Sequence, residues 1–162
     1  MKKHLLSFAL LTALFATVLP GCSKDDDDEE NPSETKTELL VKSSWKFDKA
    51  EAAPLGDISS QINACVKDNL LSFSASSGTS TSGAGVVDEG PTKCDTGAPQ
   101  TGSFSWELIS NGAVLRSSVV LFPGGSTDFN IVTLNATNLV LSQQVTISTG
   151  LPPATVTFTL KH

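Results

Sequence analysis

Ser103-Phe104-Ser105-Trp106-Glu107-Leu108-Ile109-Ser110-Asn111-Gly112-Ala113-Val114 holds a strand, a turn and the start of a return strand. Phe104, Trp106 and Leu108 fall on one face of an extended chain and Ser103, Ser105 and Glu107 on the other, because successive strand side chains point to opposite sides. Asn111-Gly112 is a dipeptide that accepts positive φ at both positions, which is what closes a two-residue hairpin. The return strand is expected from Val114 to Phe122, where Pro123-Gly124-Gly125 stops it.

The same pattern extends in both directions. Downstream, Phe129 to Leu134, Leu139 to Ile147 and Thr155 to Leu160 are strand-like, separated by Asn135–Asn138 and Gly150–Pro153. In the last of these Val156, Phe158 and Leu160 alternate with Thr155, Thr157 and Thr159. Upstream, Trp45-Lys46-Phe47-Asp48 alternates apolar with charged, and Leu71 and Phe73 mark a second strand. Thr79 to Val87 is expected as a third, although it is rich in Ser and Gly and poor in apolar side chains. Asp57 to Cys65 is the one helix expected: Asp57 can cap it, and Ile58, Ile62 and Cys65 share a face. Eight strands joined by short local connections favour an up-and-down arrangement. Such a set closes into a small barrel that is filled by side chains or holds one small ligand. The expected fold is all-β: a small eight-stranded antiparallel barrel with one short helix near the N-terminus.

The N-terminus carries an address. Lys2 and Lys3 precede an apolar run from Leu5 to Val18, shorter than the ~20 residues that cross a bilayer, so it reads as a removed signal peptide. Leu19-Pro20-Gly21-Cys22 resembles a bacterial lipobox, which implies lipidation of Cys22 after cleavage before it. The alternative is an ordinary secretory signal. Ser23-Lys24 and the acids Asp25–Glu30 resemble the export signal of Bacteroidota surface lipoproteins. That resemblance implies an outer-membrane lipoprotein exposed at the cell surface, with the membrane as partner through the lipid on Cys22. The other reading of the acidic run is a solvated spacer kept extended by like charges. The expected division is residues 1–21 as signal, 22–38 as disordered acidic tether and 39–162 as the barrel domain.

Removing Lys2 and Lys3 leaves nine basic against seventeen acidic residues, a net charge of −8, and six of those acids lie in Asp25–Glu30. From residue 39 onward there are seven basic and nine acidic residues. The domain is close to neutral, without the basic patch that nucleic acid requires. Its 124 residues suffice for one core. With Cys22 carrying lipid, Cys65 and Cys94 are the natural disulfide pair in an oxidising compartment. Two free thiols are the alternative. A bond closing a loop of about 30 residues would contribute roughly 3–4 kcal/mol on the chain-entropy argument.

Several short pieces together resemble the lipocalin-like domain of Bacteroidota lipoproteins: the Trp45 strand, Cys65-Val66-Lys67-Asp68-Asn69 before Leu71-Ser72-Phe73, Cys94, Gly102 four residues before Trp106, and Leu139-Val140-Leu141. The first-strand Gly-x-Trp of lipocalins reads Ser43-Ser44-Trp45 here. The resemblance implies a calycin-type barrel and no particular activity.

Catalytic signals are sparse. The histidines are His4, within the signal, and His162, so a Ser-His or Cys-His pair is not expected. Asp88-Glu89, between Gly85 and Gly90, reads as a solvated loop pair, Asp95 and Asp128 as turn residues, and Asn135-Ala136-Thr137 as turn chemistry. Arg116 is expected at an exposed strand position. No enzyme activity, cofactor or metal site is expected. Trp45, Phe47, Phe73, Phe104, Trp106 and Phe158 are the candidate lining of an apolar ligand site, with core filling as the competing role for the two tryptophans. The expected function is a surface-anchored, non-enzymatic barrel that binds a small apolar ligand. The alternative is a filled barrel or sandwich serving as an accessory or adhesion module in an outer-membrane complex. A carrier requires a cavity of a few hundred Å3; a filled module requires aromatic rings meeting across the axis.

Overall fold

The computed structural model describes residues 33–146 and 152–162. The expected signal peptide, Cys22 and the expected tether as far as Pro32 lie outside the described residues. Helix α1 (Lys36–Val41) leads into β1 (Trp45–Ala52) and the two-residue β2 (Gly56–Asp57). A 3-10 turn (Ser59–Gln61) and the one-turn α2 (Ala64–Lys67) precede β3 (Leu70–Ala75), β4 (Ser82–Asp88) and β5 (Thr101–Ile109). The chain continues through β6 (Val114–Ser117), β7 (Asp128–Leu134), β8 (Asn138–Val145) and β9 (Ala154–Lys161). Each of β3 to β9 pairs antiparallel with its chain neighbour, and β1 pairs with both β3 and β9. The eight strands β1 and β3–β9 thus close an up-and-down barrel of the lipocalin-like kind, with β2 an appendage on β1.

Closure is uneven. β1 follows β9 from Lys46↔Lys161 to Ala52↔Val156 but meets β3 only at Trp45↔Leu71 and Lys46↔Leu70. Beyond Lys46 the gap is filled by residues 56–67. There the Ile58 amide donates to the Ala50 carbonyl at 2.9 Å, and the Ser59 hydroxyl accepts from the Ala50 amide at 2.9 Å. These bonds give β1's free edge the partners it would otherwise lack.

The core follows the strand alternation. Phe104, Trp106 and Leu108 of β5, Leu139 and Leu141 of β8, and Val156, Phe158 and Leu160 of β9 are all buried. The Ser/Gly-rich β4 belongs to this design. Gly83 and Gly85 stand opposite Trp106 and Phe104 on β5, and opposite Ala75 and Phe73 on β3. A Cβ on Gly85 would run into the Phe104 ring, and one on Gly83 into the Ser74 carbonyl and Trp106. The missing side chains of β4 are the space its neighbours' rings occupy, so low hydrophobicity here marks tight packing.

Turns 76–81, 110–113 and 135–137 lie at one end of the barrel, which α1 closes. Thr35 caps α1 reciprocally with Glu38. Thr35 Oγ1 donates to Gly78 O at 2.7 Å, Thr37 Oγ1 to Ser80 O at 2.6 Å and Lys36 Nζ to Gly112 O at 2.8 Å. The folded unit therefore begins at Ser33. Residues 36–38, expected in the tether, form the first turn of a docked helix.

Three further expectations change. The helix expected over Asp57–Cys65 is broken into the 3-10 turn and α2, because Ile58 is held to β1 as a strand partner would be. Asp57 does act as a local cap, its Oδ1 accepting from the Ser59 amide at 2.8 Å. The hairpin after β5 puts positive φ on Ser110 (53°) and Asn111 (56°), closed by the Gly112 amide on the Ile109 carbonyl at 3.0 Å, with Gly112 itself at 73°. Asn111 and Gly112 thus both take positive φ as expected, with the Ala113 amide on the Ser110 carbonyl at 3.1 Å, but the connection between the paired Ile109 and Val114 is four residues long rather than two. β6 stops at Ser117, not Phe122, and the chain leaves the sheet so that Phe122 folds inward and is buried while Val119 and Val120 stay exposed. β8 ends at Val145; Ile147, the expected end of that strand, lies outside the described residues.

Candidate ligand cavity

The opposite end, the mouth, carries the longer described connections: residues 53–69, 89–100 and 118–127. Beneath them lies a cavity of about 180 Å3. Its outer wall is Ile58, Gln61, Ile62, Asn63 and Val66, all from the segment that fills the gap between β1 and β3. Phe122 and Pro123 come from the loop after β6, and Val145, Thr146, Val156 and Phe158 from the ends of β8 and β9. No charged residue is among these eleven. The Phe122 and Phe158 rings are stacked, with centroids 3.9 Å apart and planes 4° from parallel. Phe122 also meets Phe129 edge-on at 6.0 Å.

The loop bearing Phe122 is sewn to the barrel wall. Ser117 N donates to Thr127 O at 2.8 Å and Ser118 N to Ser105 O at 2.9 Å. The buried Gln143, inward-facing on β8, accepts from Ser126 N at 2.9 Å and Ser126 Oγ at 3.2 Å. Gln143 Nε2 makes no hydrogen bond among the described residues. Gly125 packs directly against the Gln143 side chain, leaving no room for a Cβ.

On its outer side the Ile58–Val66 wall is tied to the 89–100 loop. Cys65 and Cys94 form a disulfide across a Cα–Cα distance of 5.1 Å. Thr92 N donates to Asp68 Oδ2 at 2.9 Å. The Asn69 amide, turned so that its nitrogen faces them, donates to Cys65 O at 2.7 Å and Glu89 O at 3.2 Å.

Of the six aromatic residues expected at a ligand site, Phe158 lines this cavity. Phe47 borders a separate void of about 10 Å3 with Leu71, Val66 and Phe122, room for one water at most. Phe73 meets Phe104 edge-on at 5.6 Å and Trp106 at 6.1 Å, filling the barrel beside β4. Trp106 Nε1 is satisfied by Ala84 O at 2.9 Å and Ser74 O at 3.2 Å. Trp45 sits fully buried at the closed end, donating from Nε1 to Leu40 O at 2.8 Å. The His162 ring lies against it, centroids 3.8 Å apart, with Nδ1 3.1 Å from Ser44 O. The structure thus separates the six: one at the mouth cavity, one at a minor void, three in the packed flank and one in the base; Trp106 of the flank also borders an open groove of about 480 Å3 with Glu107 and Arg116.

Ile58, Ile62, Val66, Phe122, Val145 and Val156 line the cavity without having been read as site residues. The shared apolar face of Ile58 and Ile62 was visible in the sequence, but their placement over the barrel end depends on where β1 loses β3. Phe122 carried no such signal, since it reads as the end of a strand.

The polar candidates shape loops. Asp88 Oδ1 accepts from Gly90 N at 2.9 Å and Gln100 Nε2 at 2.7 Å. The Gln100 bond, then Gly90, holds its carboxyl below the usual range. Glu89 accepts from Cys94 N at 3.2 Å, Asp95 from Gly97 N at 2.8 Å and Asn135 from the amides of Thr137 and Asn138. Arg116 is exposed and pairs bidentately with Asp128 across β6 and β7, both bonds at 2.8 Å. This bond depresses the Asp128 carboxyl. Asp128 is thereby the first residue of β7 rather than part of a turn. No family model, curated protein or solved structure matches the chain.

Proposed function

We propose that this chain is a Bacteroidota-type, lipocalin-like surface lipoprotein: exported, lipidated on Cys22 at the outer membrane, non-enzymatic, and binding a small neutral apolar molecule at the barrel mouth. The observation that carries the binding reading is the 180 Å3 cavity walled by eleven residues without a charge among them. A cavity of about 150 Å3 lined by apolar groups accommodates benzene, whereas drug-sized ligands need roughly 300–1,000 Å3. The ligand class is therefore a compact molecule of one or two rings. A fatty acid exceeds the volume and its carboxylate would meet no cation there. Anchoring rests on the lipobox-like Leu19–Cys22 and the acidic stretch after it, since multiple acyl chains make a durable attachment.

The filled-module reading draws on the Phe73, Phe104 and Trp106 packing, in which the three rings meet edge-on inside the barrel. In that case the outer face would be the working surface, in contact with protein partners. Native mass spectrometry of the chain from residue 22, carrying Cys22→Ser and purified from cells, separates the two. A co-purifying neutral mass of benzene-to-indole size, displaced by added indole, is expected for the binding reading. No bound mass, together with no binding of indole by calorimetry, favours the filled module. Anchoring is tested by fractionation: wild-type chain in the outer membrane and digestible by protease on intact cells, Cys22→Ser released from it.

A further inference from the structure

Five of the eleven cavity-lining residues, Ile58, Gln61, Ile62, Asn63 and Val66, belong to one short segment that is not part of the barrel sheet. Its internal bonds are those of a 3-10 turn and a single helical turn: Gln61 N to Ile58 O, Ile62 N to Ser59 O, and Val66 and Lys67 N to Asn63 O. At its first end it is fastened to β1 through Ala50. At its second end it is fastened outward, to the 89–100 loop, by the Cys65–Cys94 bond and by Asp68 and Asn69. Across the cavity, among the described residues, no hydrogen bond joins 58–67 to the Phe122 loop or to β8 and β9. Only apolar contact holds it there.

The facing wall is built differently. The Phe122 loop is bonded at both ends to strands, beside its second end to Gln143 through Ser126, and at Gly124 O to Thr146 N at 3.4 Å. The clamp on the 58–67 side leads to a loop that is itself braced, by Glu89 N to Gln100 O at 3.0 Å and by Gln100 Nε2 to Asp88 and Gly90. Segments held by few backbone bonds open locally at the lowest free-energy cost, and such lids commonly control ligand exchange. A cross-link next to Val66 restricts that opening without touching the cavity itself.

We propose that Ile58–Lys67 is the gate through which the cavity fills and empties, and that the Cys65–Cys94 bond sets how often it opens. The inference rests on the reading that the cavity takes a ligand. The test uses the chain from residue 22 with Cys22→Ser, compared with the same chain also carrying Cys65→Ser and Cys94→Ser, and fluorobenzene as probe followed by fluorine NMR exchange. Release at least tenfold faster from the unclamped chain, with a smaller change in affinity, is expected. Equal release rates overturn the gate while leaving the site. Absence of fluorobenzene binding in both chains removes the site instead, and backbone hydrogen exchange then decides the gate. Amides of Gln61, Ile62, Val66 and Lys67 should speed at least tenfold on losing the bond while Leu141 and Phe158 hold their rates. Uniform acceleration through β8 and β9 makes the disulfide a staple of the whole barrel and overturns the proposal. Should the double variant not fold, Ser59→Ala, which weakens the hinge and keeps the disulfide, must speed exchange in 58–67 several-fold; an unchanged rate there overturns it.

Discussion

The two ends of the barrel solve the same problem in opposite ways. At the closed end a six-residue helix, capped by Thr35 and Glu38, seals the strands by hydrogen-bonding to two turns and accepting the Trp45 indole. Its turns are short, and Leu40 and Trp45 are fully buried. At the mouth the cover comes from long connections, one cross-linked from outside and one sewn to Gln143, and a cavity remains beneath them. A sealed end concentrates stability, because its buried polar groups find partners and Leu40 and Trp45 pack without exposure. An end covered by loops forgoes some packing and in exchange can admit something.

That contrast predicts where substitutions hurt. Trp45→Ala should cost most, about 3–5 kcal/mol as for other buried aromatic truncations, read from urea unfolding; a cost near that of a surface change would mean the closed end is not where stability lies. Gly85→Ala places a methyl into the Phe104 ring and should cost about 1–3 kcal/mol by overpacking. Gly102→Ala, on the adjoining strand with open space around it, should stay within about 0.5 kcal/mol. Equal effects at the two glycines would refute the account of β4. Thr35→Ala removes the cap of α1 and should cost about 1 kcal/mol, with exchange rising in residues 36–41 and the cavity segment unaffected.

The smallest effect is on pH. Asp57 lies in a mouth connection, while Asp88 and Asp128 are the strand residues that adjoin the connections 89–100 and 118–127, and hydrogen bonds from Ser59, Gln100 and Arg116 respectively lower their pKa values in the fold. A folded value below the unfolded one of about 3.9 means that the unfolded chain binds protons more readily. Their support is therefore complete above that value and is lost as pH falls through the folded values. Limited pepsin digestion between pH 4 and pH 2 should cut residues 53–69, 89–100 and 118–127 before turns 76–81 and 110–113. First cleavage at the closed end would reverse the comparison.

Alternation made most of the strands readable. Residues 103–108 and 155–160 face the way their pattern requires, because a half-buried strand carries its orientation in every second residue. β4 was placed within three residues of its start, yet its meaning was hidden, since the reason for Gly83 and Gly85 is written in Phe104 and Trp106. The helix α1 escaped although Thr35-Lys36-Thr37-Glu38 is a capping-box pattern; the acidic run before it drew the boundary too late. The cavity was legible only through Phe158. Val145 and Val156 belong to strands that alternation placed, yet nothing local marks them as cavity lining, and the remaining lining groups come from connections between strands.

Local physics was enough for an antiparallel barrel of eight strands and for the pairing of Cys65 with Cys94, because alternation, turn residues and cysteine counting act over short or countable distances. Closure of the ring decided the rest. β1 meets β3 over only two residue pairs, and that single shortfall of register opens the gap in which Ile58–Lys67 lies. Which of the six expected aromatic residues became core and which one borders the cavity followed from that shortfall, since side chains on one face of a strand compete for the same interior and only the assembled barrel assigns them depth.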